Sequence, residues 1–590
     1  MRKIGLSVFV FLLAGQLAFS QDYIISFPHP ETHYAHVKAI FKNWKGGNLD
    51  IHLPVWAPGS YLVREFSKNV ESLSAVDLSG NSLKVNKTRK NIWTIQASKG
   101  DVTVDYDVYA NELSVRTSFI DAEHAYLNGT SVFVFAKEYL SKKANVTIML
   151  AANWKTISVA LDKVPNIENT FTAANYDDLV DAPFEIGNHK VFSFTSCGVH
   201  HEVAMYGQGN YGEEQLKKDM AVITEQALNV FGGPHPCKNY LFIIHNLNNG
   251  GGGLEHKNST TLQTDRNGYT GESYKDFLTL VAHEYFHLWN VKRMRPKALG
   301  PFDYDNENYT NLLFVSEGFT AYYEDLIVFR SGFFTRQEFL QKIANSFSYS
   351  DNQLGATIQP LNEASFDAWI KYYRPNENSA NSTVSYYSKG AAVAAALDMI
   401  IRTKTNGKKS LDDVMQVLYQ TYYLGYSRGF TDMEFQDAVS QIAGINMNDF
   451  FKKYVFATNQ IPFDTISNEI GLVLDDNFAD EEKVYLGFNS TASKNTISSV
   501  ERNSPAWLVG LNVGDEIIAI NDYRFNGDLN ASISNVKIND YVNVLVSRNG
   551  VIKKFTMKAI NTPYVSYFLE LTASLTENQK KVLKGWLGEF

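Results

Sequence analysis

Only two cysteines, Cys197 and Cys237, occur in 590 residues, which leaves room for at most one disulfide. In an oxidising compartment the two form a possible bridge, although their separation along the chain says nothing of their separation in space. No long block of lysine and arginine is present and the net charge is −9, so the electrostatic footprint of a nucleic-acid binder is missing. The nearest thing to one, Lys292, Arg293 and Arg295, reads as the solvated end of a helix. Long apolar runs are also absent. The stretch Gly390 to Ile401 is Ala-rich and well short of the roughly 20 residues that cross a bilayer, so it fits a packed core helix. No repeat at solenoid or propeller period is found.

What is present at the N-terminus is a basic start (Arg2, Lys3), an apolar stretch from Ile4 to Ala14, and small residues at Ala18 and Ser20 before Gln21. This pattern is that of a cleaved signal peptide over residues 1–20, and it places the mature chain in a periplasm or outside the cell. No cysteine follows the apolar stretch, which argues against a lipoprotein anchor. After signal removal nothing is expected to span a membrane.

Apolar residues make up 44% of the chain and charged residues 20%, the balance of ordinary folded domains. Residues 21–190 alternate apolar and polar positions in short segments broken by turn residues, as in Leu83 to Ala97 and Asp101 to Val108, and predict a β-sandwich-like domain. Residues 191–464 carry helical periodicity at Glu213 to Phe231, Ser273 to Lys292, Thr310 to Arg330, Thr335 to Ser346, Gly390 to Thr403 and Leu411 to Tyr422, and predict an α+β domain with a helical half. Residues 465–560 return to short strands, at Lys483 to Phe488, Thr496 to Glu501, Val513 to Asn521 and Tyr541 to Lys558, with a short helix near Pro505. Residues 561–590 form a tail with a short polar helix at Glu577 to Leu587.

The segment SYKDFLTLVAHEYFHLWNVK, Ser273 to Lys292, concentrates the chemistry. Ser273 and Asp276 resemble a capping box, and the apolar residues that follow keep helical spacing. Residues four apart lie one turn above each other, so His283 and His287 present their imidazoles from one face with Glu284 beside them. Zinc binds neutral imidazole nitrogen, and a catalytic zinc takes three protein ligands and keeps one position open. Glu317, in the second helical segment NLLFVSEGFTAYYEDL, supplies the missing carboxylate, and Glu324, seven residues on, lies on the same face to steady a histidine. The expected cofactor is one Zn²⁺ per chain, with Glu284 as general base.

These motifs, together with LPVWAPGSYLVREF, LNGTSVFVF, GGGGLEHKNST, HEYFHLWNVKRMRP, SEGFTAYYEDL and YYSKGA, resemble the glycyl aminopeptidase family of gluzincin zinc peptidases over nearly the whole mature chain. The resemblance implies a thermolysin-like catalytic domain behind a β-rich N-terminal domain. It maps a carboxylate that receives the substrate's free α-amine onto Glu255, within a substrate-binding strand that includes Gly252 and Gly253, and an oxyanion-binding hydroxyl onto Tyr387, with Tyr386 as its rival. The interval from His287 to Glu317 is longer than in other gluzincins, which implies an inserted loop at Met294 to Tyr309. The C-terminal unit resembles a bacterial PDZ domain through SPAWLVGLNVGDEIIAIND and through Tyr485, Leu486, Gly487 and Phe488, a turn and strand that would take a peptide C-terminus.

Three function classes follow: an aminopeptidase acting on peptides with small first residues, an endopeptidase using the same zinc, and a PDZ peptide-binding protein with a vestigial zinc site. An N-acetylated peptide separates the first two. The complete set of expected catalytic residues speaks against the third.

Overall fold

The computed structural model describes residues 20–491 and 493–588, so the signal segment lies outside the described residues. The chain packs as two units, Met1–Val55 with Arg64–His189 and Trp56–Val63 with Lys190–Phe590. The first is built on a seven-stranded sheet ordered Asp162–Lys163, Thr170–Ala173, Ala144–Met149, Gln21–Ser26, Tyr34–Trp44, Gly100–Tyr109, Val70–Asp77, accompanied by a four-stranded and a three-stranded sheet. In Gln21–Ser26 and Gly100–Tyr109 every second side chain is buried, so one face of the sheet meets the core.

In the second unit a five-stranded sheet runs Lys190–Ser196, Val199–Tyr206, Asn239–Leu247, Ser259–Asp265, Gly253–Glu255. Its three middle strands are parallel and its last strand is a short antiparallel edge. Glycine at 252 with φ +98° turns the chain into that edge. Between Gly271 and Ile470 the elements of this unit are all helical. The stretch read as a core helix, Gly390 to Ile401, lies within the helix Ser388–Lys404 and is buried except at Ile400, and no described helix is long and apolar enough to cross a membrane.

Several sequence expectations shift. The motif helix spans Gly271–Phe286 and begins after Thr270, so Ser273 lies inside it and caps nothing. The basic run is not a solvated end: the guanidinium of Arg293 is buried and donates to the carbonyls of Lys257 at 2.6 Å and Leu288 at 2.9 Å, closing the turns after the helix. The cysteines are not bridged. Strand register puts them at the same end of adjoining strands, yet Cys197 is exposed in a turn at φ +54° and the Cys237 sulfur lies 3.5 Å from His235 Nδ1.

The six-stranded C-terminal sheet buries a core of its own that includes Phe488, Ile497, Ile517, Val542 and Val546. Its chain enters and leaves through a two-stranded ribbon, Leu472–Asp476 paired with Tyr567–Leu571, outside that sheet. The ribbon is bonded to the helix Arg336–Asn352, where the Asn352 amide exchanges two 2.8 Å hydrogen bonds with the backbone of Val565. The tail helix Glu577–Leu587 is amphipathic rather than simply polar. It buries Val582, Leu583, Trp586 and Leu587, and the Trp586 indole donates to the Tyr322 hydroxyl at 3.2 Å.

Candidate active site

The motif helix ends at the site, with His283 and Glu284 in its last turn and His287 at its C-cap. Both imidazoles are oriented through Nδ1: His283 by the carboxylate of Glu324, and His287 by the backbone carbonyl of Asn290 at 2.5 Å. With Nδ1–H donating to those acceptors, each Nε2 is left as a lone pair, and the two Nε2 atoms face each other at 3.1 Å. Glu317 Oε2 completes the group, 3.7 Å from His283 Nε2 and 3.3 Å from His287 Nε2.

Glu317 arrives there on a π-turn, Phe314–Gly318, immediately before the helix Phe319–Arg330 that carries Glu324. One wide turn changes the angular position of Glu317, and π-turns recur at functional sites for this reason. Asn290 fixes the join between the two segments, its amide donating to the carbonyls of Val315 and Ser316 and to the Thr320 hydroxyl at 2.9, 3.2 and 3.1 Å.

The glycine in SEGF sets how closely the next helix approaches. A methyl on Gly318 would lie 2.5 Å from the Gly390 Cα and 2.6 Å from the Tyr386 carbonyl oxygen. The segments carrying Glu317 and Tyr387 therefore cross backbone to backbone. Gly318→Ala should cost about 1–3 kcal/mol of stability by overpacking, and it should weaken zinc binding by moving Glu317. Denaturant melts and a zinc competition titration check this; unchanged zinc affinity would show that the crossing does not position Glu317.

The edge strand passes equally close to Glu284. A methyl on Gly253 would fall 2.3 Å from Glu284 Oε1, so only glycine lets this strand lie against the carboxylate. Two residues on, Glu255 is buried with Oε1 unpartnered, as is Glu284 Oε2. Glu255, Glu284 and His287 each bring an atom within 4.8 Å of one another. The Tyr387 ring lies 6.5 Å from the His283 ring in a stacked orientation, whereas Tyr386 is fully buried with its hydroxyl unpartnered.

The donor set fits zinc. Two imidazole nitrogens and a carboxylate oxygen, all within 4.8 Å of one another, are ligands zinc takes, and such a set leaves a fourth position free. The electrostatics point the same way. Burial opposes charge on His283, but Glu324 and Glu317 outweigh it and raise its pKa well above the usual value. Burial would likewise raise Glu317, but His287 and His283 pull it down to about 2. The carboxylates thus call for positive charge where the imidazoles converge, and a divalent cation meets that demand. Burial raises Glu284 to about 7, opposed by the histidines and assisted by Glu255 and Glu317.

Sequence reasoning did not find Asn290, Gly318 or Gly390 as supports of this site. A glycine inside a helical pattern costs about 1 kcal/mol relative to alanine, and that cost was the available signal for Gly318 and Gly390.

In the C-terminal domain, Leu486 and Phe488 are core residues, so their side chains are not available to a ligand. Tyr485 donates its hydroxyl to Glu501. Gly487 has φ +77°, and a side chain there would overlap Ser504. Among the described residues Phe488–Thr491 pairs with Thr496–Val500 and forms the edge of its sheet.

Fold, site and comparisons define this chain as a zinc metallopeptidase. The family model for the Peptidase M61 N-terminal domain matches residues 22–188, that for M61 glycyl aminopeptidase matches 276–393, and a PDZ domain model matches 484–559. The chain thus carries an M61 N-terminal domain and an M61 glycyl aminopeptidase catalytic domain. Among solved structures, an aminopeptidase N family protein from Idiomarina loihiensis is 29% identical with a TM-score of 0.88, over 96% of this chain and 100% of its own. An M1 zinc metallopeptidase from Deinococcus radiodurans is 14% identical with a TM-score of 0.48, over 75% of this chain and 94% of its own. No curated protein matches the chain in sequence.

Proposed function

We propose that the protein is an exported aminopeptidase that removes small first residues from peptides, holding one zinc per chain on His283, His287 and Glu317. The observation that carries the aminopeptidase reading is Glu255, a buried carboxylate with an unpartnered oxygen on the edge strand beside Glu284. A peptide lying along Gly253–Glu255 as an added strand brings its α-ammonium to that carboxylate and its first carbonyl toward the imidazoles. The preference for small residues rests on the family, and export rests on the pattern of residues 1–20. A mature N-terminus near Gln21, read by mass spectrometry, tests export.

Zinc, when bound, supplies Lewis acidity that acidifies a water and polarises the scissile carbonyl. Glu284 takes the proton of the attacking water and returns it to the departing amine, for which its raised pKa suits it. Glu324 and the Asn290 carbonyl hold the imidazoles in one tautomer. The hydroxyl assigned to the developing oxyanion is that of Tyr387, whose ring stacks toward His283, rather than that of the enclosed Tyr386, and Gly253 keeps the strand against Glu284. In the C-terminal domain, the strand edge at Phe488–Thr491 and the turn Tyr485–Gly487 suit a peptide C-terminus taken up by strand addition.

The test is a panel of glycyl and alanyl amides with free and acetylated amines, run on protein of measured metal content. About one zinc per chain, loss of activity with a chelator and recovery with zinc are expected, with acetylated substrates uncut. Active protein free of zinc, or ready cleavage of acetylated peptides, overturns the reading.

A further inference from the structure

Residues 57–60, Ala-Pro-Gly-Ser, form a tight turn closed by a hydrogen bond from the Ser60 N–H to the Ala57 carbonyl at 2.9 Å. Pro58 occupies its first corner, and Gly59, at φ +89°, takes the second corner that only glycine fills without strain. Pro-Gly turns ordinarily face solvent. Here Ala57, Pro58 and Ser60 are buried, and the turn packs with the second unit although the strands on either side of it in sequence belong to the first.

The turn is anchored on both sides. Before it, the Trp56 indole donates to the Asp303 carbonyl at 2.8 Å and its ring packs edge-on against Trp369 at 5.1 Å. After it, the Tyr61 ring meets Trp369 at 5.6 Å, and the Tyr373 hydroxyl donates to the Gly59 carbonyl at 3.4 Å. The tip so held lies directly on Glu255. A methyl on Gly59 would be 2.5 and 2.6 Å from the two carboxylate oxygens, so glycine at 59 leaves room for the carboxylate and nothing more.

We propose that the Ala57–Ser60 turn is the end wall of the substrate cleft, the element that confines the enzyme to the first residue of a peptide. The proposal rests on the reading that Glu255 receives the α-ammonium. Given that, an acyl group or a preceding residue would have to pass where the turn sits, and the aromatic anchors keep the turn from yielding. Exopeptidase specificity then comes from two parts: a carboxylate that attracts the free amine and a turn that excludes anything attached to it.

The test compares zinc-loaded wild type, Gly59→Ala, Glu255→Ala and the double variant on glycyl p-nitroanilide. In Gly59→Ala the methyl displaces the carboxylate, so KM should rise about tenfold or more and kcat should fall in the same sense as in Glu255→Ala, with zinc content unchanged. In the Glu255→Ala background the carboxylate that the methyl would meet is gone and only the backbone strain at φ +89° remains, so its effect on KM should fall below about twofold. A wild-type KM in Gly59→Ala, or equal KM shifts in both backgrounds, overturns the wall. Should Gly59→Ala not fold, amide exchange on wild-type holoenzyme decides. Glycinamide should slow exchange of the Ser60 and Leu62 amides and N-acetylglycinamide should not; equal protection by both overturns the proposal. If Glu255→Ala itself leaves the free-amine preference intact, the aminopeptidase reading fails; if that preference depends on Glu255 and Gly59→Ala is neutral, only the wall fails.

Discussion

Glu284→Gln is expected to retain zinc and fold while losing kcat by about a thousandfold or more, since general acid–base catalysis typically contributes 10²–10⁴ and this group acts in both directions of proton transfer. The substitution keeps the size of a buried side chain that has Gly253 against it, so no cavity or clash is made. It removes the one oxygen acceptor that can both take a proton and give it back, because an amide does neither near neutral pH. His283, His287 and Glu317 are untouched, so metal content should match the wild type. Single-turnover rates with metal analysis on the same sample check it. Near-normal turnover would take the proton-transfer role away from Glu284.

The contrast between His283 and Glu317 shows which parts of such a site a sequence discloses. His283, Glu284 and His287 are related by helical geometry alone, so their spacing places them on one face before any tertiary structure is known. Glu317 reaches them only because a π-turn reorients it, Asn290 joins its segment to the motif helix, and Gly318 lets the Tyr387 helix close in. Those are contacts between distant segments, and periodicity is silent about them. The domain range 21–190 fails to anticipate the turn at 57–60 for a related reason: strands flank it in sequence, and only packing assigns it to the catalytic part. Arg293 misled in the opposite direction, because charge pattern cannot distinguish a solvated cation from one capping buried carbonyls. The tail helix was legible in extent, from Glu577 to Leu587, and its buried stripe at 582, 583, 586 and 587 was present in the spacing but diluted by polar neighbours.

Glu255→Ala is expected to lower kcat/KM on free-amine substrates by roughly 2–5 kcal/mol, a factor between tens and thousands, because the α-ammonium would lose its partner in a largely desolvated site. Two features make this more than a general effect of removing a buried charge. Glu255 Oε1 has no partner in the folded chain, so removing that oxygen strands no donor inside the protein. Glu284 and His287 each bring an atom within 4.8 Å of it, so a substrate ammonium there fixes the first peptide bond beside the general base, and the loss should appear in kcat as well as KM. Acetylating the substrate removes the same ammonium from the other side. The wild type should suffer at least as much from acetylation as from Glu255→Ala, and the variant should discriminate far less between the two substrates, since both changes delete one interaction. Steady-state kinetics on matched free and acetylated glycyl amides close the cycle. Independent, multiplying effects would separate Glu255 from the amine, and an acetylated peptide cut as fast as the free one would make the enzyme an endopeptidase.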